Sequence, residues 1–69
     1  MSMLKVVEVL AESETGWEAA AREAVEEAGR TLRNVRSIYI ENFQANVVDG
    51  RIEKYRINAK ITFQLEDER

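Results

Sequence analysis

Counted outward from Asp49-Gly50, two segments of about fifteen residues alternate apolar and polar side chains, the period-two pattern of half-buried β-strands. The first, Val35 to Val48, and the second, Arg51 to about Glu66, meet at a two-residue loop whose Asp-Gly sequence favours a type I′ turn. That turn fixes a register in which Val48 faces Arg51, Ile40 faces Ala59 and Ile38 faces Ile61, with Tyr55, Ile57 and Phe63 on the same side. Upstream, Met3 to Ala11 reads as another strand, rich in valine and leucine. Between them, Trp17, Ala20, Ala21, Ala24, Val25, Ala28 and Leu32 recur every three or four residues and predict a helix from Gly16 to about Arg33. Thr15 and Glu18 have the spacing of a capping box at its start, and Asn34 is able to end it. Four of the helix's apolar positions are alanine, small enough for a curved sheet to wrap closely around it.

The predicted fold class is therefore α+β, in the order β-α-β-β. A tight hairpin reverses the third strand relative to the second, and pairing the first strand with the third makes every neighbour antiparallel. The result is a three-stranded sheet of order 2-3-1 partly wrapping one helix, as a single domain over residues 1–69. The second strand is then a long edge without proline, a template for pairing with another chain. Strands of this length are about 45 Å long, whereas the helix is only about 27 Å. One helix cannot cover both arms, so the pattern predicts self-assembly. On the face turned away from the helix, the straight register places Tyr39, Phe43, Val47 and Ile52 among Ser37, Glu41, Ala45, Lys54, Arg56, Asn58, Lys60 and Thr62. These four apolar residues, together with Trp17, are the expected interface.

Composition narrows what such an assembly could do. The 69 residues are 45% hydrophobic and 33% charged, with neither cysteine nor histidine. A core of that size stabilises a domain by only about 3–5 kcal/mol. Disulfides, thiolate chemistry, imidazole catalysis and the usual zinc sites are excluded, which leaves oligomerisation as the reinforcement. A net charge of −3 opposes non-specific binding to nucleic acid or anionic membranes. No signal-like or membrane-spanning run is present, so a soluble cytoplasmic protein is expected. No nucleophile-base pair stands at a motif spacing and no glycine-rich phosphate loop is present, so the expectation is a binding protein and not an enzyme. Acid pairs such as Glu26-Glu27 and Glu66-Asp67 read as solvated surface. Carboxylates from several copies could still converge on a symmetry axis and hold Mg²⁺ or Ca²⁺.

Longer motifs carry a resemblance. Trp17-Glu18, Asn34-Val35-Arg36-Ser37, Asn42-Phe43-Gln44-Ala45 and the run from Tyr55 to Phe63 together resemble the dodecins over nearly the whole chain. The resemblance implies a hollow dodecamer of cubic (tetrahedral) symmetry. Its flavin-binding members store riboflavin or its derivatives between tryptophans of two subunits, with a third-strand glutamine bonded to the ring. Some bacterial members hold coenzyme A. In this chain Ser37 stands at the tryptophan position and Arg56 at the glutamine position. Serine has no π-face, so the family's aromatic sandwich cannot be built from it. Tyr39 and Arg56 are the residues left for a remodelled flavin site, although Arg56 is equally able to pair with Glu41. The cofactor stays open between flavin and a divalent cation. The reading is a self-assembling cage that binds or sequesters a flavin-type ligand, coenzyme A or a metal ion at an altered flavin site. The alternative is a structural oligomer with no bound small molecule.

Overall fold

A computed structural model describes residues 3–65 and shows strand β1 (Leu4–Ser13), helix α1 (Trp17–Thr31), strand β2 (Val35–Val48) and strand β3 (Arg51–Gln64). All neighbours are antiparallel and the order is β1-β3-β2, so β3 is central and β2 is an edge, as the strand pattern predicts. The acid pair Glu66-Asp67 and the expected end of the third strand lie outside the described residues. Asp49 and Gly50 both adopt positive φ, 53° and 75°, as a type I′ turn requires. The chain forms a ribbon of 57 × 19 × 13 Å, its long axis set by the hairpin.

The helix begins differently from the expected capping box. Gly16 occupies the N-cap position at φ 153°, and no side chain caps the helix. The Thr15 hydroxyl instead shares a 3.0 Å hydrogen bond with the hydroxyl of Ser13, and the Thr15 N–H donates to Ser13 Oγ. A local serine turn thus uses the groups that the box would need. The helix is also shorter than its apolar period suggests: it stops at Thr31, with the Leu32 N–H donating to the Ala28 carbonyl, and Asn34 at φ 60° then turns the chain into β2. Within α1, Gly29 is exposed and a Cβ there would meet nothing within 4 Å. Gly29→Ala is therefore expected to raise stability by about 1 kcal/mol, read as a higher denaturation midpoint. A lower midpoint would mean that the glycine serves a contact outside the protomer.

The core is thin. Ala20, Ile57, Ala59 and Ile61 are fully buried, with Trp17, Ala21, Val9, Ala11, Ile38 and Ile40 packed around Ala20, Ile57 and Ala59. Alanine at 20 and 59 lets helix and sheet backbones approach closely.

At the far end of the hairpin the register is shifted at Arg36, where Val35 faces Phe63, but the register set by the turn holds at Val48 facing Arg51 and, further along, at Ile40 facing Ala59 and Ile38 facing Ile61. Between them the register slips twice, once where Glu53 is left unpaired and once, in the opposite sense, at Glu41. The two irregularities cancel in length but invert the faces of the hairpin from Asn42 through the turn to Ile52. Phe43 consequently faces the buried Ile57 and Ala45 faces Tyr55, on the helix side, and Val47 with its partner Ile52 continues that side beyond the helix. This corrects the placement of Phe43, Ala45, Val47 and Ile52 on the helix-free face. Of the four apolar residues expected there, Tyr39 alone remains, opposite Lys60.

Candidate functional site

The helix-free face is built from side chains that alternate with the core. On β1 these are Leu4, Val6, Glu8, Leu10 and Glu12, which face Gln64, Thr62, Lys60, Asn58 and Arg56 on β3. Beyond them on β2 stand Ser37, Tyr39, Asn42, Gln44 and Asn46. Leu4, Val6, Leu10 and Tyr39 are exposed apolar residues among polar ones on this face, and its end nearer the turn is polar. Apolar residues at even as well as odd positions of β1, Leu4, Val6 and Leu10 beside Val7, Val9 and Ala11, are a legible sign that this strand contributes apolar residues to both sides.

Ser37, Tyr39 and Arg56 all lie on this face, but one protomer does not bring them together. Ser37 faces Thr62, six residues from Arg56 along β3 and thus about 20 Å away. A ligand the size of a single flavin ring cannot touch both positions of one protomer.

Arg56 is held by all three strands. Its Nε–H donates to Glu12 Oε2 at 2.8 Å, with Nη2 2.7 Å from the same oxygen. Nη1 reaches Gln44 Oε1 and Nη2 reaches Asn46 Oδ1, both at 3.4 Å. The expected partner, Glu41, is instead paired with Lys60 at 3.2 Å. The slip at Glu41 is the cause, because it brings Gln44 opposite Arg56. The hydrogen bond from Arg56 holds the Glu12 carboxyl below the usual carboxylate range, aided by the charges of Arg56 and of Lys54, 3.7 Å away.

At the centre of the face Asn58 lies between Leu10 and Asn42. Its Oδ1 is screened from solvent and accepts no hydrogen bond among the described residues. An acceptor left in that state costs about 1–3 kcal/mol. Trp17 stands on the other side of the sheet, edge-on to Tyr55 at 4.9 Å and to Phe43 at 5.7 Å, its indole N–H donating to the Gln44 carbonyl at 2.8 Å. These contacts make it a packing residue of the protomer's own helix-sheet junction. Among the described residues no three acidic side chains converge in a way that could hold a metal ion. No described helix is long and apolar enough to cross a membrane.

The β-α-β-β order and the antiparallel β1-β3-β2 sheet have close counterparts. A family model for the dodecins matches residues 3–66. The chain belongs to the dodecin family. The calcium dodecin of Mycobacterium tuberculosis is 36% identical over 66 residues, covering 94% of this chain and 92% of that protein. Its crystal structure, described as having a novel calcium-binding site, superposes with a TM-score of 0.81 at 30% identity, covering 99% of this chain and 97% of that one. The dodecin of Streptomyces coelicolor superposes at 0.91 and 28% identity, over 97% and 96% of the two chains. An arginine-to-alanine variant of the Thermus thermophilus dodecin gives 0.91 at 27% identity, over 97% and 100%. The dodecin fold and this chain's membership are thus established together.

Proposed function

We propose that this dodecin assembles into a homo-oligomeric cage, a dodecamer, that binds or sequesters a small ligand on the helix-free sheet face, at a flavin site altered by Ser37 and Arg56. The supporting observation is the face itself. It presents the amides of Asn42, Gln44 and Asn46 and the guanidinium of Arg56, and no described element of the protomer covers it. A surface of this kind recognises a ligand by hydrogen bonds and charge more than by stacking. Tyr39, 65% exposed on the same face, is the aromatic surface available to a flavin ring. A divalent cation is the second ligand class, by likeness to the calcium dodecin. For this chain its carboxylates would have to come from more than one copy, since the described residues of a single protomer bring no suitable group together. The role is binding and buffering without turnover, in the cytoplasm.

One observation favours the structural alternative, an oligomer without a small molecule: the guanidinium of Arg56 already serves Glu12, Gln44 and Asn46. Titration separates the readings. Native mass spectrometry is expected to give a dodecamer, and riboflavin is expected to bind the unaltered chain weakly. Ser37→Trp should raise riboflavin affinity at least tenfold, corresponding to about 1.4 kcal/mol of restored stacking, read by quenching of flavin fluorescence. No gain, together with no response to riboflavin, coenzyme A or Ca²⁺ in calorimetry, would overturn the ligand-binding role and leave the structural one. A monomer in native mass would overturn both.

A further inference from the structure

At the polar end of the helix-free face, four side chains stand at the corners of one unit of the sheet. Gln44 faces Arg56 and Asn46 faces Lys54, on successive outward positions of β2 and β3. Adjacent corners are about 5–7 Å apart, across the strands or along them. On the other side β1 ends at Ser13, opposite Tyr55, so no strand flanks the Lys54 corner there.

The hydrogen-bonding capacity of this group is one-sided. Arginine and lysine carry donors and no acceptor. The atoms that Gln44 and Asn46 turn to the guanidinium are their amide oxygens, each at 3.4 Å. Both NH₂ groups are therefore left over, and neither makes a hydrogen bond among the described residues. The remaining side-chain acceptor is Glu12, and it is already committed, with Oε2 to Arg56 and Oε1 3.7 Å from Lys54. What the cluster offers to a newcomer is donors.

Glu12 also shows what such donors accept. An oxyanion of the chain itself sits against Arg56 at 2.7 and 2.8 Å, whereas the bonds on the β2 side lie near the outer limit of hydrogen-bond length. One carboxylate beside two cations leaves one positive charge. Glu53 and Asp49 pair with neither cation among the described residues. Glu14 and Glu23, which line a cleft with Lys54, belong to the connector and the helix and not to this face.

We infer that Lys54, Arg56, Gln44 and Asn46 form an oxyanion site that takes a phosphate monoester, with Glu12 as its built-in competitor. A phosphate suits the site better than a carboxylate, because its three acceptor oxygens can meet donors from both strands at once. This rests on the ligand-binding reading above and names the chemistry of the ligand.

Riboflavin and riboflavin 5′-phosphate differ by that group alone and are the first probes. With the unaltered native assembly at one low ionic strength, the phosphate form is expected to bind about tenfold more tightly, read by calorimetry. Inorganic phosphate should compete with it. Lys54→Met removes a donor held to Glu12 only at 3.7 Å and should bring the ratio toward one. Glu12→Gln removes the competitor and should raise the ratio further; native mass and circular dichroism check that both variants stay assembled and folded. Coenzyme A is the other phosphate source. Its displacement by inorganic phosphate, weakened by Lys54→Met, with no preference between the flavins, would place the phosphate on that ligand and keep the site. A preference that both variants leave unchanged overturns the assignment to these residues. Equal affinity for the two flavins, with no phosphate-sensitive binding of coenzyme A, overturns the oxyanion site and leaves ligand binding standing. Failure of all three compounds to bind overturns the ligand-binding reading and this site with it.

Discussion

Truncating Ile57 to alanine is expected to cost about 2–5 kcal/mol, as removal of a fully buried aliphatic side chain typically does when the surroundings cannot collapse into the space. Ile57 is completely buried. It faces Ala11 on one side and Phe43 on the other, with Ala20 and Ala59 in the same cluster. Three of these neighbours are alanines with little side chain to move into a void, and the backbones beside them are already close. A core of this size stabilises its protomer by only about 3–5 kcal/mol, so the loss is comparable with the whole and the isolated protomer should unfold. Thermal denaturation followed by circular dichroism, at one fixed protein concentration because association between copies makes a midpoint concentration-dependent, should show a midpoint lowered by at least about 10 °C. Ile57→Val provides the scale, with an expected loss of about 0.5–1.5 kcal/mol. A midpoint unchanged by the alanine would mean that the centre of the protomer is not where its stability resides.

Replacing Trp17 by alanine should cost about 3 kcal/mol, the low end for a large aromatic because the indole is only half-buried. Three contacts go at once: the edge-on packing against Tyr55, that against Phe43, and the indole N–H bond to the Gln44 carbonyl. Together they fasten the first turn of α1 to both strands of the hairpin near the point where it begins to project. Trp17→Phe retains much of the ring packing and loses the donor, for an expected cost of about 1 kcal/mol. Chemical denaturation of both variants, followed by circular dichroism because the only tryptophan is removed, checks the order. Equal losses would assign the whole effect to the hydrogen bond. A loss below about 1 kcal/mol for alanine would show that the hairpin is fixed from elsewhere.

The elements that the sequence predicts well are those whose signals are local. Asp49-Gly50 specifies its turn because both positions need positive φ. The spacing of Trp17, Ala20, Ala24 and Ala28 specifies a helix, and the antiparallel order follows from one crossover and one hairpin. The slips at Glu41 and Glu53 have no such mark. Neither has glycine or proline beside it, and the residues around them continue to alternate plausibly in either orientation. The pairing of Phe43 with Ile57 and the seating of Phe43 against Trp17 decide the matter, and both are tertiary. The partner of Arg56 was illegible for the same reason, compounded by Glu12 lying 44 residues away on a strand whose outward face no local pattern ties to β3. Ser37, Tyr39 and Arg56 do share a face, as straight alternation requires, because none of them lies in the inverted stretch on β2. At the helix start the capping box failed because Ser13 competes for the same hydroxyl and amide, a contest between two local motifs that spacing does not resolve.

The inverted stretch from Asn42 through the turn to Ile52 also bears on how relatives are compared. A homologue lacking both slips would have the same length and align without a gap, yet throughout this stretch matched residues would point to opposite sides of the sheet. A polar side chain in one protein would then stand in the column of a packing residue in the other, and a conservative-looking exchange would be the disruptive one. Transplanting this stretch between dodecins therefore requires moving Glu41 and Glu53 with it.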